Sequence, residues 1–167
     1  MNNSSIDVFV TGGTFDKNYN LINGELYFEN SSVSSMFERG RSQLRLNIRT
    51  LMMVDSLDMT TSHRDIIIDA CKKSKTSRIL ITHGTDRMVA TAEILAKAKI
   101  EGKTIVLTGA MIPYKFGSSD GFFNLGSAVA FAQVLSAGVY VVMNGRYYQW
   151  DNVRKNTNNG FFEEVIR

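Results

Sequence analysis

A chain of 167 residues is long enough to bury a core, and 44% hydrophobic against 21% charged residues excludes a disordered segment. A formal net charge of +3 excludes a strongly basic nucleic-acid binder: its densest run, Lys72, Lys73, Lys75 and Arg78, falls at an expected helix end with no aromatic interleaving. No run of about 18 apolar residues occurs, so no membrane helix is expected.

The start, "MNNSSIDVFV", lacks the basic and apolar regions of a leader, which sets a cytoplasmic expectation. One proline and no low-complexity stretch leave no linker, so one domain over 1–167 is expected.

Taken in chain order, "DVFVTGG" reads as a first strand and "LNIRTLMMVDS" as a second. A helix follows over "HRDIIIDACKKSK", with Thr61 and Ser62 as capping residues and Ile66, Ile67 and Ala70 on one face. Cys71 lies on that apolar pattern and reads as a small core residue. "SRILITHGTD" is the third strand, and "RMVATAEILAKAKIEGK" the next helix, with Met88, Ala92 and Leu95 inward and Gly102 as its stop. "KTIVLTGAM", a helix over "GFFNLGSAVAFAQVLSAG" ending at Gly138, and "GVYVVMNG" complete the pattern.

The strand runs are mostly continuous rather than alternating, which suits strands buried on both faces of a parallel sheet. Strand–helix alternation then predicts an α/β class: a single three-layer domain with a mostly parallel, doubly wound, flavodoxin-like sheet. Ligands in such domains bind beyond the carboxyl ends of the strands. That is where residues 11–14, 55–59, 82–86, 108–111 and Asn144 gather.

The chemistry on that rim has limited scope. Only two histidines occur, His63 and His83, with no Cys/His spacing, so no metal or other cofactor is expected. His83 reads as a local hydrogen-bonding residue. Neither phosphate-binding glycine pattern nor a G-x-S-x-G elbow is present. Taken alone, "TGGT" is a tight turn whose glycines leave N–H groups free near Thr14, and the Thr85–Asp86 pair is a helix cap. A threonine nucleophile needs a base, for which Lys17 and Lys155 are the candidates.

In combination, "TGGT", "HGTD" and "TGAM" followed by "SSDGFFNL" resemble the bacterial-type L-asparaginase family from about residue 8 to 158. The family's large α/β domain is matched and its smaller C-terminal domain is not. The resemblance implies hydrolysis of L-asparagine to L-aspartate and ammonia, with Thr14 as nucleophile and no cofactor. It further implies that Lys155 of "NVRKNT" accepts the Thr85 proton, while Asp86 holds the lysine or the substrate amine. Gly13, Asp55, Ser56, Asp58, Gly84 and Ala110 are implied substrate-binding positions. Tyr19 fits the family's loop tyrosine, with Tyr27 as the alternative, and Lys17 receives no essential role.

Leu57 stands where the family has a glutamine between Ser56 and Asp58, which leaves open a non-catalytic aspartate- or asparagine-binding module, or an amidase for glutamine or another small amide. The implied partners are a small amide substrate and a second copy of the chain in a homodimer, with no nucleic acid and no membrane.

Overall fold

A computed structural model of the chain describes residues 5–165, so Met1 to Ser4 of the start read above lie outside the described residues. Its first half contains β1 (Ile6–Gly12), β2 (Lys17–Tyr19), β3 (Leu26–Phe28), α1 (Val33–Arg39), β4 (Leu46–Val54) and α2 (Thr61–Lys73). Its second half contains β5 (Arg78–Thr82), α3 (Met88–Lys97), β6 (Thr104–Thr108), α4 (Gly121–Val134), β7 (Gly138–Met143), β8 (Arg146–Gln149), β9 (Arg154–Lys155) and β10 (Phe162–Glu163).

The central sheet has the order β4-β1-β5-β6-β7-β8. The first five strands are parallel and β8 returns antiparallel on the edge. Counted along the chain, the parallel strands run 2-1-3-4-5, the flavodoxin-like order. Two small antiparallel pairs, β2 with β3 and β9 with β10, stand outside this sheet.

Successive side chains on a strand point to opposite faces, so a continuous apolar run feeds two cores at once. Phe9, Ile79, Ile81, Ile105, Leu107 and Val141 pack on Ile67, Ala70 and Cys71 of α2 and Ala92 and Leu95 of α3. Their neighbours Val8, Val10, Leu80, Val106 and Val142 pack on Val33 and Met36 of α1 and Leu125, Ala128 and Ala132 of α4. Each fully buried aliphatic side chain contributes about 1.5–3 kcal/mol, so this double core fixes the sheet and the three layers with it. Burial pushes the Cys71 thiol up to about 12, and the residue is an inert part of the core.

Several boundaries differ from the sequence reading. Helix α2 is capped by Thr60, not Thr61 or Ser62: its hydroxyl accepts from the His63 N–H while the His63 ring accepts from the Thr60 N–H. Its buried face is Ile67, Ala70 and Cys71, and Ile66 is exposed. Helix α3 stops at Lys97, well before Gly102, because Lys99 turns into the left-handed region at φ 48°. Helix α4 ends at Val134, where Leu135 becomes extended, and Gly138 opens β7. Among the described residues no helix is long and apolar enough to cross a membrane.

Candidate active site

The carboxyl ends of β1, β4, β5 and β6 form one rim, and backbone contact brings them together. Gly13 (φ 75°) follows β1, and a Cβ there would lie 2.3 Å from the Gly84 nitrogen after β5. A Cβ on Gly84 would in turn lie 2.6 Å from the Ser56 side chain after β4. Only residues without side chains fit this stack, which explains two glycines that turn geometry alone leaves unexplained. Thr14 and Thr85 each follow one of the two touching glycines.

The Gly13 N–H donates to the Val54 carbonyl at 3.0 Å. It is therefore not free, contrary to the reading of "TGGT" as a source of open donors. Thr11 ties β1 to β5, its hydroxyl donating to the Thr82 carbonyl at 2.8 Å. Thr14 opens a short 3-10 turn, residues Thr14–Asp16, anchored by the fully buried Phe15. Burial raises the Asp16 carboxyl above its ordinary value, partly offset by hydrogen bonds from the Ser32 N–H and the Ser31 hydroxyl.

Thr85 is buried, and its hydroxyl accepts from Lys155 Nζ at 2.8 Å. The same Nζ reaches Asp86 Oδ1 at 2.5 Å. Lys155 arrives from the far end of the chain on β9, whose pairing with β10 is held by the buried Phe162 and the Tyr148 hydroxyl on its carbonyl. Asp86 thus pairs with a lysine rather than capping α3, whose first flanking residue is Arg87. His83 is fully buried with Nδ1 2.8 Å from the Gly84 carbonyl, and burial lowers its pKa to about 4, so the ring is neutral.

Ser56 is buried beneath Gly84, and its hydroxyl accepts from the Arg87 N–H at 3.4 Å. Asp55 organises the turn: its Oδ1 accepts from the Leu57 N–H at 3.0 Å and its carbonyl from the Asp58 N–H at 3.0 Å. Its other oxygen pairs with Lys17. Burial opposes ionisation of this carboxyl, and the hydrogen bonds from Lys17 and the Leu57 N–H together with the Lys17 charge outweigh it, holding its pKa below the ordinary value. Asp58 and Leu57 are exposed.

Ala110 is buried after β6, in a turn braced from α4. Asp120 accepts from the Met111 and Ile112 N–H groups at 3.0 Å, and the Asn124 amide donates to the Gly109 carbonyl at 3.0 Å. Tyr19 is 46% exposed on the β2–β3 hairpin, edge-on to Phe116. Tyr27 lies on the hairpin's opposite face, since Asn18 pairs with it in register while Tyr19 pairs with Leu26.

The structure therefore gathers Gly13, Gly84 and Ser56 in one stack and Thr85, Asp86 and Lys155 in one cluster, while Tyr19 and Asp58 stand at the margin. Sequence reasoning left Lys17 without a role and passed over Asp120 and Asn124 as individual residues. An acidic residue just ahead of a helix was the available signal for Asp120. Among the described residues no group of three or more His, Cys, Asp or Glu side chains could hold a metal ion.

A doubly wound sheet whose rim carries two threonines on touching glycine loops, one of them bonded to a lysine–aspartate pair, defines an α/β domain of the asparaginase type. The asparaginase N-terminal family matches residues 5–162, and the chain belongs to that family. It is 41% identical over 93 residues to a glutaminase-asparaginase of Acinetobacter glutaminasificans, covering 54% of this chain and 28% of that protein. It is 29% identical over 170 residues to L-asparaginase 1 of Escherichia coli K12, covering 96% of this chain and 50% of the relative. The L-asparaginase I of Vibrio cholerae superposes with a TM-score of 0.82 at 26% identity, over 96% of this chain and 51% of the other. The chain spans about half or less of the length of these proteins.

Proposed function

We propose that this chain hydrolyses L-asparagine to L-aspartate and ammonia through an acyl-enzyme on Thr14. The observation that carries the reading is the hydrogen-bonded Lys155–Thr85–Asp86 cluster, set one residue beyond the contact of Gly13 with Gly84.

In this mechanism the Thr14 hydroxyl oxygen attacks the side-chain amide carbon. Its proton passes through the Thr85 hydroxyl to the Lys155 amine, and Asp86 stabilises the ammonium that forms. The tetrahedral intermediate expels ammonia, which takes that proton from Lys155, and an aspartyl ester remains on Thr14. Water, deprotonated by the same relay, then releases aspartate and restores the hydroxyl. Ser56 and Asp58 hold the substrate's α-carboxylate and amine, Ala110 lies beside the amide, and Tyr19 closes over the nucleophile. These steps call on hydroxyls, an amine, carboxylates and water.

Ammonia release from purified protein in EDTA tests the reading. Thr14→Ala is expected to bind asparagine without turnover, and wild-type release no greater than that of Thr14→Ala on every amide tried would contradict it. One observation favours a second reading: Leu57, 62% exposed on the binding turn, cannot hydrogen-bond a substrate amine. A binding module would bind aspartate in calorimetry and release no ammonia from asparagine or glutamine. We also propose a homodimer, because Phe122, Phe123 and Phe161 leave large apolar groups at the surface. Light scattering that finds only 18.7 kDa would overturn that.

A further inference from the structure

We propose that Lys17 and Asp55 are positioning residues: their ion pair fastens the β2–β3 hairpin to the substrate-binding turn and so holds Thr14 in place. The kinetic part of this inference rests on the amidohydrolase reading, and the tether itself does not.

Lys17 opens β2 three residues after Thr14, and Asp55 follows β4 directly ahead of Ser56. Both side chains are mostly shielded, at 19% and 22% exposure, so water screens the pair less than it screens a surface pair. Asp55 has two duties. One oxygen holds Lys17, while the other oxygen and its carbonyl shape residues 55–58 through the Leu57 and Asp58 N–H groups. A single carboxylate thereby links the loop that carries Thr14 to the turn that carries Ser56.

Beyond the hydrogen bonds from Ser31 and Ser32 to Asp16 at its base, little else among the described residues fastens the hairpin. Residues 21–27 are exposed, with Leu21 at 89% and Ile22 at 97%. Two three-residue strands form a ladder too short to be stable alone. A further contact with the body is a weak one, Tyr19 edge-on to Phe116 at 6.4 Å, while Lys17 over the Phe28 ring at 5.9 Å lies within the hairpin. Register sets which side chains the tether brings inward. Lys17 and Tyr19 share one face with Phe28 and Leu26, whereas Asn18 and Tyr27 share the other. Closing the Lys17–Asp55 contact turns the Tyr19 face to the rim and the Tyr27 face away.

The test combines hydrogen exchange of the peptide spanning 17–28 with steady-state kinetics on asparagine. Asp55→Asn removes the charge but keeps an acceptor for the Leu57 N–H. Lys17→Met keeps the length of the side chain. Both are expected to raise exchange of that peptide roughly tenfold, between the near-zero effect of an exposed pair and the larger effect of a buried one. Lys17→Arg should keep protection, and the exchanged pair Lys17→Asp with Asp55→Lys should recover part of it. In kinetics, Lys17→Met and Asp55→Asn should lower kcat and raise KM together, while thermal melts stay close to wild type.

Wild-type exchange in Lys17→Met would overturn the tether. Faster exchange with kcat and KM unchanged would overturn the positioning role. Were the wild type to release no ammonia at all, the amidohydrolase reading and the positioning role would fall together, and the exchange measurements alone would still decide the tether.

Discussion

The two threonines of the rim stand on unlike foundations. Thr85 lies in a segment where His83 and Thr85 are buried, Gly84 touches Ser56, and Gly109 approaches the His83 carbonyl and the Thr85 methyl. The backbone there is packed against strand ends and core. Thr14 shares the Gly13–Gly84 contact, but three residues later its loop leaves the core for a hairpin exposed along 21–27. The contrast teaches a division of labour for the proposed mechanism: strand ends hold Thr85 where Lys155 of β9 meets it, and the hairpin is the part free to admit and release a substrate.

The largest expected effect lies on the rigid side. Lys155→Met should lower kcat by about 10²–10⁴-fold with a much smaller change in KM, as for loss of a general base. A near-normal kcat by ammonia release would move the base elsewhere, and Lys17 would be next in line. Lys17→Met does not serve as a neutral comparison, because its Asp55 partner sits on the binding turn.

A pair of glycine substitutions sharpens the contrast in stability. Gly84→Ala forces a Cβ to within 2.6 Å of Ser56 and 3.0 Å of its backbone nitrogen, and should cost about 3 kcal/mol or more. Gly24→Ala, at φ 75° in the hairpin with only the Tyr19 hydroxyl near at 3.6 Å, should cost about 1–2 kcal/mol of local strain. Denaturant melts that rank the two the other way would show that the hairpin, not the rim, carries the fold.

Acid should act through the rigid side as well. The folded pKa of His83 is lowered to about 4 from an ordinary 6.5, so between those values the unfolded chain binds more protons. Stability should fall as pH drops from about 6.5 to about 4, by up to about 3 kcal/mol from this group. Chemical denaturation across that window checks it, and His83→Gln should flatten the slope. The smallest effect is expected from Ile22→Ser at the hairpin tip, within about 0.5 kcal/mol in melts, since that side chain is 97% exposed.

The strand runs were the legible part of this fold. Because both faces are buried, "SRILITH" and "KTIVLTG" announce parallel strands without any alternation, and the rim follows from their order. The β2–β3 and β9–β10 pairs were not legible, since strands of two or three residues leave no periodic trace and are placed by what they touch. Strand β8 left a trace that was readable: Asn144 and Gly145, both at positive φ, are an Asn-Gly hairpin turn. Helix ends depend on single residues rather than on pattern, so Thr60 took the cap from Thr61, and Lys99 stopped α3 ahead of Gly102. At the site, "HGTD" and Lys155 could be matched by motif. The Lys17–Asp55 pair, 38 residues apart in sequence, could come only from the fold.

The central claim is that Thr14 forms the covalent bond, and the direct measurement is mass spectrometry of protein quenched during turnover of asparagine. The account predicts a mass gain of one aspartyl group on the peptide that contains Thr14, lost in Thr14→Ala. An adduct on the peptide that contains Thr85, or ammonia release undiminished in Thr14→Ala, would contradict it.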